Sequence, residues 1–199
     1  MRRGGMALPA VLALLAAAAV PVAAHEVQDA GPPGGVADPL PSGNVARVAP
    51  GLISKSSYDH WFRVAVAVRG KGTPKPGTAA HTKLRKQTMR FLISARWLEL
   101  ESPEHGVKVS KDQVTRALKR QKRAAFGTNE AAYRRYLKRT KRTVDDIRWQ
   151  IRLSLLSRKL ERYAGDDADA FADALSRKWR ARTACAADYM TAECGSQAG

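Results

Sequence analysis

From Ser54 to the C-terminus, apolar residues recur every three or four positions, the spacing of one face of an α-helix. The pattern is clearest in residues 144–164, where Ile147, Ile151 and Leu155 follow at intervals of four. Residues 45–48 form a short extended segment, and no sustained strand pattern follows residue 50. We predict an all-α fold: a single irregular bundle of about six helices, with the C-terminal helix packing back on the N-terminal block.

Capping residues divide the helical pattern into segments. Ser54, Ser110, Thr128 and Thr143 are candidate N-caps, and Ser110 with Gln113 forms a capping-box motif. The predicted helices cover residues 55–68, 79–102, 111–125, 129–139, 144–164 and 167–182.

The N-terminus indicates export. Arg2 and Arg3 precede an apolar run over residues 6–24, which ends in small residues before His25, as at a signal-peptidase site. The alternative is an uncleaved membrane anchor, because a run of this length could just span a bilayer. Residues 25–43 contain four Pro and four Gly, which predicts a flexible linker between a signal peptide over residues 1–24 and a folded domain over residues 44–199.

The charge is strongly basic and unevenly distributed. The chain has 35 Lys and Arg against 18 Asp and Glu, a net charge of +17, which invites a nucleic-acid interpretation. Residues 115–142 hold 11 of these basic residues and only one acid. For an exported chain, anionic envelope polymers, a membrane surface or acidic stretches of polypeptide are more common partners than nucleic acid. The candidate anion-attracting residues are Arg116, Lys119, Arg120, Arg134, Arg135, Lys138 and Arg139.

Two alternatives stay open for this basic stretch. Charge runs are usually solvated helix faces, although like charges three or four residues apart destabilise a helix. Tyr133 and Tyr136 could stack on bases or could equally belong to the core.

The sequence offers no active site. The common nucleotide-binding, zinc-protease and esterase motifs are missing, and His25, His60, His81 and His105 are scattered. We expect no catalytic residue, cofactor or metal. Cys185 and Cys194 are too far apart for a C-x-x-C redox motif, and in an exported chain they predict a structural disulfide.

Several motifs in order resemble a known family. Residues 45–54 (VARVAPGLIS) lead to Tyr58-Asp59, residues 107–114 read VKVSKDQV, and residues 143–156 read TVDDIRWQIRLSLL. With the tail over residues 177–185, these resemble the N-terminal chaperone domain of SurA-like and PrsA-like extracytoplasmic foldases, over about residues 45–195. Two departures are visible: Ala49-Pro50-Gly51 replaces the usual Asn-Gly, and residues 164–167 leave no space for the parvulin isomerase domain that many relatives insert there.

The resemblance implies a non-catalytic, holdase-like module that shelters unfolded or nascent exported polypeptides. Its candidate peptide-binding residues are Trp61, Phe62, Trp97 and Trp149, although aromatic stripes of this kind are most often core. The alternative is a basic cell-envelope or nucleic-acid binding protein that uses residues 115–142. A third interpretation, a prolyl isomerase, follows from family association only, and we do not expect that activity.

Overall fold

The structure, a computed structural model, describes residues 39–199 and contains mostly helix together with a small sheet. The helices are α1 (Lys55–Arg69), α2 (Ala79–Glu104), α3 (Lys111–Phe126), α4 (Glu130–Thr140), α5 (Val144–Ala164) and α6 (Ala168–Arg180). The strands are β1 (Asn44–Val48), β2 (Gly51–Ser54), β3 (Thr183–Cys185) and β4 (Ser196–Gln197). The predicted signal peptide and residues 25–38 of the predicted linker lie outside the described residues.

The four strands form one sheet in the order β2-β1-β3-β4. β1 and β2 form an antiparallel hairpin, β3 runs antiparallel to β1, and β4 runs parallel to β3. The prediction of an all-α fold is therefore only approximate, because β2, β3 and β4 lie after residue 50, where the sequence has no sustained strand pattern. The strands are two to five residues long, too short for a period of two to be recognised. Their pairing is also non-local, since Ala46 faces Cys185.

Local capping explains where most helices begin. The Ser54 hydroxyl accepts a hydrogen bond from the Ser57 amide, and Ser110 and Thr143 both form complete capping boxes, as their motifs indicate. Thr128 is not the N-cap of α4: Asn129 takes that position and accepts a hydrogen bond from the Ala132 amide. An Asn side chain caps at least as well as Thr, so the choice between these neighbours was not fixed by residue type.

The sheet packs with α1, α2 and α6 around one large hydrophobic core, called the main core here. Val45, Val48, Val64 and Ile93 are almost completely buried in it. The other buried members are Ala46, Ile53, Tyr58, Trp61, Met89, Leu92, Trp97, Trp179, Cys185 and Cys194. The main core thus joins the two ends of the described chain.

A second, much smaller core lies between α3 and α5. Val114 and Ala117 of α3 meet Ile151 of α5, and partly buried Leu118 and Leu155 pack around them. The two helices α3 and α4, called the α3–α4 pair, are joined by three residues, and α4 lies against α1.

A buried carboxylate fastens α6 to α2. Glu101 accepts hydrogen bonds from Trp179 Nε1 at 2.5 Å, Lys178 Nζ at 2.7 Å and His105 Nε2 at 2.8 Å. Burial alone would raise the pKa of the Glu101 carboxyl, but these three hydrogen bonds together outweigh burial and lower the pKa below its usual value. The C-terminal helix therefore packs back on the N-terminal block, as the sequence predicts.

The C-terminal loop is closed by the predicted disulfide. Cys185 in β3 and Cys194 are bonded, with an S–S distance of 2.04 Å. Next to it, the Gly195 amide donates a hydrogen bond to the Thr183 carbonyl at 2.8 Å. A Cβ atom at Gly195 would lie 2.2 Å from the Arg180 carbonyl oxygen, so this close approach of two backbones requires glycine.

Candidate functional site

Three aromatic rings from α1, α2 and α5 contact one another and fill the space between these helices. The ring centroid of Trp61 lies 5.0 Å from Phe91 and 5.1 Å from Trp149, and Phe91 lies 5.4 Å from Trp149. Trp61 is 6% exposed, whereas Phe91 and Trp149 are partly exposed at the edge of the cluster. A ligand could therefore contact this cluster only at its outer rings.

Polar contacts hold the cluster in place. Trp149 Nε1 donates a hydrogen bond to Glu99 at 2.9 Å, and His60 bonds Asp146 at 3.0 Å. Asp146 also accepts a hydrogen bond from the Thr143 amide in the capping box of α5. The start of α5 is thus tied directly to α1.

The structure does not bring all four predicted peptide-binding residues to one surface. Trp97 is 5% exposed and donates a hydrogen bond to Thr183 Oγ1 at 2.9 Å in the main core. Trp61 and Trp97 therefore offer no free ring surface in this conformation. Phe62 and Trp149 are partly exposed and remain candidates for peptide contact.

Phe62 lies beside an apolar surface that the sequence analysis did not identify. Its ring is 6.1 Å from Tyr58, which in turn contacts Tyr189 of the C-terminal loop edge-on at 4.8 Å. A cavity of about 60 Å³ opens here, lined by Met89, Tyr189 and Met190 among others. Tyr189 and Met190 are apolar residues inside a disulfide loop, a signal that the sequence did contain.

Basic side chains surround this surface. Arg85 donates a hydrogen bond to the Asp188 carbonyl at 2.8 Å and lies over the Tyr189 ring at 5.4 Å. Burial raises the pKa of Tyr58, although its bond to Arg85 opposes that change. Lys86 also lines the cavity, and next to it a shallow depression of about 780 Å³ includes Lys83 and Arg90. We call Phe62, Tyr189, Met190 and this cavity the loop site.

The seven predicted anion-attracting residues all lie exposed on the α3–α4 pair. Three are on α3 (Arg116, Lys119, Arg120) and four on α4 (Arg134, Arg135, Lys138, Arg139), and we call them the basic face. Within residues 39–199, none of the seven forms an ion pair with an acidic side chain. The single acid of this stretch, Glu130, pairs with Lys122 instead.

A comparison with known families identifies the chain. Residues 1–161 match the family model described as SurA-like N-terminal domain. The chain belongs to this family. No curated protein and no solved structure matches it. The match ends at residue 161, within α5, so α6 and the C-terminal loop lie beyond the matched part of the SurA-like domain.

Family membership gives the general role. SurA-like N-terminal domains are chaperone-like folding-factor modules that bind unfolded polypeptides, and the family is extracytoplasmic. The disulfide fits such a location. Across the part of the chain that the structure describes, no helix is long and apolar enough to cross a membrane, and no three metal-ligating side chains are grouped together.

Proposed function

We propose that this SurA-like domain is an exported, non-catalytic holdase that binds unfolded polypeptide segments at the loop site. The observation that carries the proposal is a small cavity lined by the partly exposed side chains of Tyr189 and Met190. Phe62, also partly exposed, lies beside it, with its ring 6.1 Å from the lining residue Tyr58. Unfolded chains expose isolated apolar side chains, and the cavity has room for the end of one of them. Trp149, at the outer edge of the aromatic cluster, is a second contact point.

The chemistry of the loop site suits unrelated sequences. Met side chains are unbranched and polarisable, so they adapt to ligands of different shape. Tyr189 and Phe62 supply flat apolar area at low cost in conformational entropy. A site built in this way selects for exposed apolar residues and for little else.

The cations around the loop site add a preference for acidic segments. Arg85 and Lys86 line the cavity, and Lys83 lines the adjoining depression. Arg90 in that depression is already paired with Glu193 at 2.7 Å, so it adds little to this preference. Charges at the rim of a binding site raise the association rate more than the affinity. We therefore expect faster capture of clients with acidic residues near their apolar ones, and a loss of that advantage at high salt.

An aggregation assay with a denatured model protein tests the proposal. We expect the full chain to suppress aggregation, and the double variant Phe62→Ala/Met190→Ala to need at least about threefold more protein for the same effect. The matched control is Tyr163→Ala, which removes an aromatic side chain that is 58% exposed. Its ring packs on His105 and Phe171, which do not belong to the loop site.

Three results would contradict the proposal. Lack of suppression by the wild-type chain at several-fold molar excess removes the holdase function itself. Equal losses in the double variant and in Tyr163→Ala remove the loop site as its location. Undiminished suppression by the double variant does so as well. Circular dichroism of each variant confirms that the comparison is made between folded proteins.

Export itself is part of this proposal. The apolar run over residues 6–24 and the small residues before His25 support removal of a signal peptide after Ala24. N-terminal sequencing of the protein recovered from outside the cytoplasm should start at His25. A chain that keeps residues 1–24 and stays with the membrane fraction would support the anchored alternative.

A further inference from the structure

The basic face places positive charges at spacings that destabilise a helix. On α3, Arg116 and Lys119 are three residues apart, and Arg116 and Arg120 four apart. On α4, Arg134 and Lys138 are four residues apart, as are Arg135 and Arg139. Such neighbours lie about 5–6 Å apart at Cβ, within the Debye length of about 8 Å at physiological salt. They repel one another and act jointly on any anion that approaches.

The two tyrosines of this region are not available to a ligand. Tyr133 and Tyr136 are each 7% exposed, because Phe126 at the end of α3 packs on both at 5.4 Å. Binding of single-stranded nucleic acid relies on stacking of bases on exposed aromatic rings. The seven cations of the basic face are accompanied by one partly exposed ring, Phe126, which packs on both tyrosines. A nucleic acid would therefore be held mainly by its phosphates.

Exposed apolar anchors are also missing from the basic face. The large apolar side chains that are exposed within residues 39–199 are Leu52 and Tyr163, and both lie outside the α3–α4 pair. The surface therefore suits adsorption by charge, without insertion of side chains into the partner.

We propose that the basic face binds the anionic headgroup surface of a lipid bilayer. The family is extracytoplasmic and the disulfide fits that location. A bilayer that contains anionic lipids is an extended surface that many Lys and Arg side chains can contact at once. The sequence also directs the chain to a membrane through the apolar run over residues 6–24.

This inference does not rest on the holdase proposal. The basic face belongs to α3 and α4, whereas the loop site belongs to α1, α2 and the C-terminal loop. The two surfaces share no residue, so variants of one leave the other unaltered and the two can be tested separately.

Vesicle binding by the full chain is the test. The probes are vesicles with about 30 mol% phosphatidylglycerol in phosphatidylcholine, and pure phosphatidylcholine vesicles, at about 0.15 M salt. All variants share residues 1–38, so any insertion of the apolar run adds to binding on both kinds of vesicle. The ratio of the two partition coefficients isolates the contribution of charge.

The test variant is Arg134→Gln/Arg135→Gln/Lys138→Gln/Arg139→Gln, and a second variant neutralises Arg116, Lys119 and Arg120. Each cation near an anionic bilayer strengthens binding roughly fivefold, so we expect either variant to lower the ratio by at least about 10-fold. The control is Arg158→Gln/Arg162→Gln/Arg177→Gln/Arg180→Gln, which removes four exposed charges from α5 and α6. It should lower the ratio by less than about threefold. Gln is a good helix former, so the helices should be retained.

Several outcomes overturn the proposal. Equal preference of the wild-type chain for both vesicles shows a merely solvated face. Equal losses in test and control variants show an effect of net charge alone. Tighter binding to duplex DNA, or to an acidic polypeptide or wall polymer, than to anionic vesicles at the same salt assigns the face to that partner instead.

Discussion

The main core and the α3–α4 pair differ in whether their charged side chains are buried and bonded or exposed and unpaired. In the main core, Glu101 is buried and accepts hydrogen bonds from Trp179, Lys178 and His105. On the α3–α4 pair, seven cations are exposed and form no ion pair within the described residues. A charge whose bonds are satisfied inside the protein serves the fold. A cluster of charges left to solvent costs some helix stability and is free to meet a partner.

The two regions also differ in the number of apolar side chains that they bury. The main core buries residues from three helices and from strands at both ends of the described chain, whereas the small core buries only Val114, Ala117 and Ile151. Because stabilisation grows with the apolar area removed from water, the main core carries most of the stability. The four predictions below test this division, beginning with the largest effect.

Replacing Trp97 by Ala should lower the free energy of unfolding by about 3–5 kcal/mol, because it removes a buried ring and its hydrogen bond to Thr183. Val114→Ala in the small core should cost only about 1.5 kcal/mol. Urea unfolding measures both values. Trp97→Phe is the control, since it keeps most of the ring and should cost less than Trp97→Ala. Similar losses at the two Ala variants would contradict the statement that the main core carries most of the stability.

Removing the disulfide by Cys185→Ser with Cys194→Ser should cost about 2.5–3 kcal/mol, because the loop of ten residues gains freedom in the unfolded chain. Thermal unfolding with and without a reductant measures the same quantity on the unaltered chain. Hydrogen exchange should show a larger loss of protection in β1 and β3 than in α3. A uniform loss would mean that the two regions unfold only together.

Glu101→Gln should cost about 1–3 kcal/mol at neutral pH, because the hydrogen bonds of a buried carboxylate lose their charge. The folded-state pKa of Glu101 lies below its ordinary value of 4.5, so its contribution is present above about pH 4.5 and is lost as the pH falls through the folded-state pKa. The free energy of unfolding, measured at steps of about one pH unit between about pH 3 and 7, should fall toward acid pH in the wild type. It should fall less in the variant. An identical acid dependence in both would contradict the assignment.

Neutralising Arg134 and Lys138 with Gln should change stability by less than about 0.5 kcal/mol and in the stabilising direction, because a like-charge pair at i and i+4 is removed. The gain should disappear at high salt. Thermal unfolding at low and high salt checks both points. A loss above about 1 kcal/mol would reveal that these cations are bonded within the fold.

The helices could be predicted because their signals are local. α5 runs over Val144–Ala164 as expected, since both its apolar period and its Thr143 cap are written in neighbouring residues. The sheet could not be predicted, because β1 is completed by β3, whose residues have no strand pattern of their own. Pairing over such a distance is decided by the assembled core.

The candidate site was predictable only in part for a related reason. Helical spacing placed Trp61 and Trp97 on core-facing sides, but it could not show whether another element covers them. Tyr189 and Met190 gain their position from the C-terminal loop, which packs against α2. The basic face was visible from composition, because exposure of long charged side chains is the ordinary outcome.

The sheet order sets the sequence of events when the chain is made. β1 lies between β2 and β3, and β3 follows more than a hundred residues later, behind all six described helices. Until Thr183–Cys185 have been delivered, one side of β1 has its amides and carbonyls unpaired, a template that any other extended chain can occupy. Although the chain belongs to a folding-factor family, its own sheet is completed last. While it is being synthesised, it exposes an unpaired strand edge of the kind that chaperones cover.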